Sequence, residues 1–260
     1  MEELSDILAK LKNNEISIED AEKLIRVNIL EIDNFARLDV NRSVRTGIPE
    51  IVVCEDKTSD QIVKIANRIV EEKGRAILSR LDRNKFDKIL TDLESAGYKN
   101  EYYDDAKICT VKKPDHKIEL TGGKIGIITA GTSDIPVAEE ARIIAVELGC
   151  EVTTAYDVGV AGVHRILPIL KNMINNNIDI YIVAAGREGA LPTLIAGLVD
   201  TPVIGVPIST GYGMAGKGES ALHAMLQSCS PLVVVNIDAG TIAGAVAARF
   251  ANKMAEARGK

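Results

Sequence analysis

A glycine-rich segment in the second half of the sequence carries residue types that could do chemistry. Glu188 stands between Gly186 and Gly189 in the turn AAGREGALP, and Cys229 closes a helix-like segment further along. Glycines let the backbone approach a ligand where a Cβ would collide, and strand-to-helix turns are where parallel sheets bind nucleotides and phosphates. A carboxylate there can remove a proton, and a thiolate can add to an electrophile. The segment therefore predicts a site for both binding and catalysis.

Each of these residues also has a purely structural interpretation. An acidic residue in the first turn of a helix is favoured by the helix dipole, which could alone explain Glu188. A buried, inert thiol is the common state of cysteine, and a helix C-terminus disfavours the thiolate that Cys229 would need. Arg187 is either solvated or pairs with a phosphate or carboxylate of a ligand. A second glycine turn, with Gly211 and Gly213, is predicted to contribute to the same site.

Two earlier turns carry further candidates. Gly131, Thr132, Ser133 and Asp134 follow the first strand of this half and precede a helix. Ser133 or Asp134 could simply cap that helix, or the turn could bind an anion while Asp134 holds a ribose hydroxyl, a base or a metal. His164 follows the second strand and is either a helix-surface residue or an acid, base or metal ligand.

The elements that position these residues follow from the alternation of apolar runs and helical periodicity. Near-continuous apolar strands separated by helices predict a parallel sheet covered on both faces, a three-layer αβα domain over residues 119–260. Residues 1–50 predict a helical arm and residues 51–118 a small α/β domain, with Lys112–Gly123 as the linker. The C-terminal strands are predicted at Ile125–Thr129, Glu151–Tyr156, Ile178–Ala184, Val203–Val206 and Leu232–Asn236, and Gly240 and Gly244 are predicted to allow close packing of the last helix.

Composition excludes several function classes. The 260 residues, 46% of them hydrophobic, can bury a large core, whereas 3% aromatics and no Trp disfavour stacking platforms for bases. A formal net charge of -6 gives no general attraction to nucleic acid or anionic lipid. The four cysteines are scattered without a C-x-x-C pair, which indicates neither a zinc site nor a disulfide framework. Because the N-terminus lacks a signal-peptide pattern and no segment has the length of a membrane span, we expect a cytoplasmic protein without membrane or nucleic-acid partners.

Several motifs carry a clear resemblance. GTSDIPVAEEA, AAGREGALPTLIAGLVDTPVIGVP and NIDAG resemble, in order and spacing, the aminoimidazole ribonucleotide carboxylase/mutase superfamily over about the last half of the chain. Over nearly its whole length the chain is similar to the LarB family, the pyridinium-3,5-biscarboxylic acid mononucleotide synthases of nickel-pincer cofactor biosynthesis. That resemblance is carried by LDVNRSVRTGIPEIVVCEDKT, DVGVAGVHR, STGYG and MLQSC. The purine carboxylases have a short S-A-H-R turn and lack the N-terminal region.

The LarB resemblance implies a reaction and roles for named residues. The expected activity is carboxylation by CO2 of C5 of the pyridinium ring of nicotinic acid adenine dinucleotide, with hydrolysis of its phosphoanhydride by water to release AMP. Cys229 matches the nucleophile and Glu188 the base, while Asp134 and His164 are candidates near Mg2+ or another divalent cation. Ser133 and the N–H groups of its turn would hold phosphate. The family also implies a homo-oligomer such as an octamer.

The charged N-terminal motif is expected either to close over the site or to form a surface charge network; its residues are Asp39, Arg42, Arg45 and Glu50. Two other functions stay open. One is an aminoimidazole ribonucleotide carboxylase or mutase of purine biosynthesis, which would be indifferent to loss of Cys229. The other is a non-catalytic adenine-nucleotide sensor, which would bind through the same turns and release no product.

Overall fold

The computed structural model describes residues 4–26, 29–33, 35–39, 42–210 and 216–259. The chain forms two compact units, and each is described by itself. One unit takes in Met1–Tyr102 and Cys109–His116, and the other takes in Tyr103–Ile108 and Lys117–Lys260. None of the helices within the described ranges is long and apolar enough to cross a membrane.

The first unit begins with two helices and a small hairpin. Helices α1 (Leu4–Lys12) and α2 (Ile18–Arg26) are followed by strands β1 (Ile29–Ile32) and β2 (Ala36–Asp39), which pair antiparallel, and by the short helix α3 (Arg42–Thr46). The helical arm predicted for residues 1–50 thus also contains a hairpin. Helical periodicity could not reveal it, because each strand has only four residues.

The rest of the first unit is a four-stranded sheet with two helices. The strand order is β3-β4-β6-β5, in which β3 and β4 are parallel and β4 and β6 antiparallel. A capping box between Thr58 and Gln61 begins the first helix, and Asp82 caps the second by accepting the Lys85 N–H at 2.9 Å. The bounds are β3 (Ile51–Val53), α4 (Ser59–Lys73), β4 (Arg75–Ser79), α5 (Arg83–Ser95), β5 (Lys99–Tyr103) and β6 (Ile108–Lys112).

The second unit is built on a five-stranded sheet in the order β11-β10-β9-β7-β8, with every neighbouring pair parallel. All six residues of β9 are buried, as expected for a strand covered on both faces. This confirms the predicted parallel sheet. The strands are β7 (Lys124–Thr129), β8 (Glu151–Ala155), β9 (Ile180–Ala185), β10 (Val203–Pro207) and β11 (Val233–Val234).

Helices cover both faces of this sheet. Helices α6 (Ile135–Glu147) and α10 (Gly240–Ala257) share one hydrophobic core with it. The opposite core contains α7 (Val163–Asn175), α8 (Ala190–Ala196) and α9 (Glu219–Leu226), which completes the three layers. A Cβ on Gly244 would lie 2.5 Å from a carbonyl oxygen of α6, so this glycine allows α10 to pack closely, as predicted.

The strand order fixes where a ligand can enter. Strands β7 and β9 are neighbours, but the chain continues from β7 to the edge strand β8 and from β9 to β10 on the other side. Because the two connections leave in opposite directions, a crevice opens beyond the carboxyl ends of β7 and β9. The turns singled out from the sequence follow these same strand ends.

Candidate functional site

A pocket of about 240 Å³ lies in this crevice. It is formed by the loops that follow β7, β8 and β9, together with Thr210 after β10. Seven of the residues predicted from the sequence line it: Gly131, Ser133, Asp134, Gly186, Arg187, Glu188 and Gly189.

The loop after β7 is shaped by Asp134. Its side chain is only 2% exposed, and its Oδ2 accepts the Gly131 N–H at 2.8 Å while its Oδ1 accepts the Ser133 hydroxyl at 3.4 Å. The carboxylate thus folds back onto its own loop, and neither it nor Ser133 makes the side-chain cap on α6 that was one interpretation of the sequence. Burial raises the pKa of Asp134, against the lowering effect of these hydrogen bonds.

Two glycines of the pocket serve different purposes. A Cβ on Gly159 would lie 2.8 Å from the Ala130 carbonyl oxygen, so this glycine is needed for the loops after β7 and β8 to meet. A Cβ on Gly131 would approach no atom of the described residues closer than 3.7 Å, and the residue has an ordinary extended φ of -135°. Packing among the described residues therefore does not require glycine at position 131, which leaves room for a ligand there.

Glu188 lies in a tight turn after β9. The turn is closed by the Gly189 N–H, which donates to the Gly186 carbonyl oxygen at 2.8 Å, and Arg187 and Gly189 both have positive φ. A Cβ on Gly189 would lie 2.7 Å from the backbone of Ala221, so the glycine lets α9 pack onto the turn and fix it.

The Glu188 side chain is exposed and has no hydrogen bond or ion pair with any residue that the structure describes. It precedes α8, which begins at Ala190, so the interpretation as a first-turn residue stabilised by the helix dipole is wrong. A carboxylate that is fixed in a pocket wall but not paired is free to accept a proton from a ligand.

The remaining residues predicted after β7 and β8 lie beside the pocket. Thr132 begins a 3-10 turn and is exposed, and His164 is the exposed second residue of α7. Neither is among the residues that line the cavity. The loop after β8 instead contributes Gly159, Val160 and Ala161, which sequence reasoning missed, although the glycines of DVGVAG were a signal for a close approach.

Cys229 lies away from this pocket. It is exposed and stands between α9 and β11, ahead of the strand. Val233 of β11 pairs with Ile204 of β10, and Cys229 precedes β11. Cys229 therefore lies at the amino ends of the parallel strands, whereas Glu188 lies at their carboxyl ends. The structure of one chain therefore does not bring the predicted nucleophile and base together. Gly211 and Gly213 lie outside the described residues.

The charged N-terminal motif pairs with itself within the first unit. Arg42 contacts Glu50 at 3.2 Å, and both terminal nitrogens of Arg45 donate to the Asp39 carboxylate. These ion pairs match the interpretation as a surface charge network. The alternative, that the motif closes over the site, stays a prediction.

Within the described ranges, no group of three or more His, Cys, Asp and Glu side chains could hold a metal ion. Asp134 uses both carboxylate oxygens within its own loop, and His164 lies outside the pocket lining. The described residues of one chain therefore do not fit a protein-held metal centre. A role for this pair near a cation stays a prediction.

A parallel αβα domain with a carboxylate in a pocket at the point where strand order reverses has the arrangement in which α/β proteins typically bind small molecules. Residues 124–259 match the family model described as AIR carboxylase, and residues 30–113 match the model described as LarB/PurE-like N-terminal domain. The chain belongs to the AIR carboxylase family and carries a LarB/PurE-like N-terminal domain ahead of the AIR carboxylase domain.

Similar proteins divide according to how much of the chain they match. The uncharacterized protein MJ0165 of Methanocaldococcus jannaschii is 44% identical over 96% of this chain and 98% of its own length. The N5-carboxyaminoimidazole ribonucleotide mutases of the same organism and of Thermotoga maritima are 33% and 30% identical, and they match 47% and 48% of this chain and 75% and 72% of their own lengths.

Proposed function

We propose that this carboxylase-family protein carboxylates C5 of the pyridinium ring of nicotinic acid adenine dinucleotide and hydrolyses the phosphoanhydride. The products are pyridinium-3,5-biscarboxylic acid mononucleotide and AMP, as in nickel-pincer nucleotide biosynthesis. The observation that carries the proposal is the domain content. The chain has a LarB/PurE-like N-terminal domain, whereas the two mutases described above match only about half of it.

The charges of the pocket support a cationic ring as ligand. Glu188 and Asp134 both line the pocket, and Arg187 is the one cationic side chain among its described lining residues. A pyridinium ring is attracted by such carboxylates, while Arg187 and the Ser133 hydroxyl are suited to phosphate oxygens. The pocket volume of about 240 Å³ suits one end of the dinucleotide, so the adenylate part would extend beyond it.

The ring must first be made nucleophilic, because an electron-poor pyridinium does not attack CO2. A thiolate adds to C4, which gives a dihydropyridine with enamine character at C5, and C5 then forms the bond to CO2. Glu188 removes the C5 proton. The ring nitrogen then returns its electron pair to the ring as the C4–S bond breaks and the thiolate leaves. The net change is the replacement of one hydrogen by a carboxylate.

We assign the thiolate to Cys229 of a second copy of the chain. Within one chain, Cys229 and Glu188 lie at opposite ends of the strands, yet the reaction needs their side chains to reach two adjacent atoms of the ring. Cys229 is exposed, and the neighbouring Leu226 and Val233 are 64% and 53% exposed, which is apolar surface that a homo-oligomer would cover. Magnesium bound to the pyrophosphate of the dinucleotide would neutralise part of its charge without needing a set of protein ligands, since phosphates usually supply part of its coordination.

The test is to incubate the purified protein with nicotinic acid adenine dinucleotide, bicarbonate and magnesium and to analyse products by mass spectrometry. We expect AMP and a mononucleotide with one extra carboxyl group, whose extra carbon derives from labelled bicarbonate. Cys229→Ala and Glu188→Gln should each abolish carboxylation, while the matched variant Cys150→Ala, which changes a buried thiol of the core, should retain it. Dinucleotide recovered unchanged would refute the proposal.

A second candidate is the activity named for the mutases, since their matches fall on the domain that holds the pocket. A parallel incubation with aminoimidazole ribonucleotide and its N5-carboxy derivative distinguishes the two. Turnover that is indifferent to Cys229→Ala would favour this candidate. Tight binding of adenine nucleotides with no product from any substrate would instead indicate a sensor.

A further inference from the structure

A second and larger cavity, of about 570 Å³, lies at the opposite end of the strands of the same sheet. It opens where β7, β9 and β10 begin, away from the pocket that contains Glu188. Five of its lining side chains carry a charge or a phenol: Lys124, Asp179, Tyr181, Asp200 and Arg258. Neither the proposed reaction nor the sequence motifs use this cavity.

The hydroxyl of Tyr181 has no partner there. The residue lies on the central strand β9, is 0% exposed, and packs its ring where a Cβ on Gly126 would be, 2.7 Å from Cδ1. Its hydroxyl oxygen is buried and makes no hydrogen bond within the part of the chain that the structure describes. Buried polar atoms are nearly always hydrogen-bonded, and Phe would fill the same space without the hydroxyl. The hydroxyl therefore keeps an unused donor beside the cavity, which a water or a ligand could use once a small movement of the wall uncovers it.

Two of the charged side chains satisfy each other. Arg258 donates from both terminal nitrogens to Asp179 and from one of them to the Gly122 carbonyl oxygen at 3.1 Å. Asp179 also accepts the Lys124 backbone N–H at 2.8 Å. This ion pair forms a neutral wall of the cavity and leaves little capacity for a ligand.

The other two charges are uncompensated. The Lys124 ammonium donates to the Asn176 carbonyl oxygen at 3.3 Å and has no carboxylate within salt-bridge distance among the described residues. Asp200 is exposed and has no hydrogen bond or ion pair in the same ranges. Burial, followed by the nearby Asp200 charge, raises the pKa of Tyr181 to about 12, so its hydroxyl keeps its proton and remains a donor.

We propose that this cavity binds a small zwitterion of the amino-acid class, with its ammonium group against Asp200 and its carboxylate against Lys124 and the Tyr181 hydroxyl. Two opposite charges that line one cavity without pairing are complementary to a ligand that carries both. A phosphate would gain Lys124 but would be repelled by Asp200, and a neutral polyol would leave both charges unpaired.

The test is calorimetric titration of the full-length protein with each standard L-amino acid in turn at millimolar concentration. At least one should bind, and its α-amide and its N-acetyl derivative should each bind at least about tenfold more weakly, because each lacks one charge. Tyr181→Phe, Asp200→Asn and Lys124→Met should each weaken binding by a similar factor. The matched control Glu188→Gln, in the other pocket, should leave it unchanged.

Three results would overturn the proposal: no amino acid binds, ribose or inorganic phosphate binds while amino acids do not, or the three cavity variants bind as the wild type does. Lys124 and Asp200 are not buried, so their variants test the site even if Tyr181→Phe alters the core.

Discussion

Mixing two inactive variants tests whether the active thiol comes from a second copy of the chain. Glu188→Gln removes the base but keeps the thiol, and Cys229→Ala removes the thiol but keeps the base. If both groups act from the same chain, every chain in a mixture lacks one of them. If they act from different chains, a Cys229→Ala chain provides an intact pocket into which a Glu188→Gln chain can place its thiol.

The strand register provides the distance on which this prediction depends. Ala185 pairs with Pro207 and Val233 pairs with Ile204, so the two levels differ by three residues, or about 10 Å along the strands. Glu188 lies beyond the upper level and Cys229 precedes the lower one.

Helix α8, which lies between the level of Glu188 and the level of Cys229, gives a similar distance. It has seven residues, or about 10 Å, and ends at Ala196, and a Cβ on the following Gly197 would lie 3.3 Å from the Ser230 hydroxyl. Reacting groups must come within about 3–3.5 Å of the ring atoms with which they react. One chain therefore cannot present both the Cys229 thiol and the Glu188 carboxylate to one ring without losing α8 or β11.

The assay is carboxylation of the dinucleotide by an equimolar mixture that has been dissociated and reassembled. Random assembly gives an intact pocket in half of the cases and an intact thiol in half, so we expect about a quarter of wild-type activity. The mixture should remain inactive if the chains are not allowed to exchange. An inactive reassembled mixture beside a fully active wild type would refute the two-chain site, whereas an inactive wild type would refute the proposed reaction itself.

Three further predictions concern thiols, glycines and a buried charge. Burial raises the pKa of every cysteine thiol except Cys229 to about 12. A thiol reagent at pH 7 or 9 should therefore label only Cys229 in the native protein and all four thiols in denaturant. Because only the unfolded thiols ionise between pH 9 and 12, the free energy of unfolding should fall as the pH rises through this range. In denaturant titrations, Gly244→Ala should lower the free energy of unfolding by about 1–3 kcal/mol despite the helix propensity of alanine, because its Cβ would meet α6 at 2.5 Å. Gly131→Ala should leave stability unchanged and weaken dinucleotide binding. Arg258→Ala should lower the midpoint of thermal unfolding, because the Asp179 side chain, 2% exposed, loses its counter-charge, and adding Asp179→Asn should recover part of this loss in the same unfolding series.

Much of the second unit could be predicted because its signals are local. Except for β8, whose sequence is EVTTA, the strands are short apolar runs next to glycine or proline, and the buried residues of β9 leave no ambiguity about its environment. The hairpin of residues 29–39 and strand β5 were missed because their side chains are partly polar and their pairing partners are not visible in the pattern. Of the two interpretations of Asp134, the helix cap is not formed; the sequence could not reveal this, since a cap and a backward bond to Gly131 need the same residue type at the same place.

The sequence by itself determined the αβα architecture, the family, and the set of turns that carry Glu188 and the glycines around it, because strand periodicity and the spacing of turn residues are properties of contiguous segments. Only the tertiary structure decided that Asp134 binds its own loop, that a Cβ on Gly131 would meet no described atom closer than 3.7 Å, and that Cys229 and Glu188 lie at opposite ends of the strands. These facts depend on strand order, strand register and helix packing. Such long-range relations place residues together or apart regardless of how close they stand along the chain.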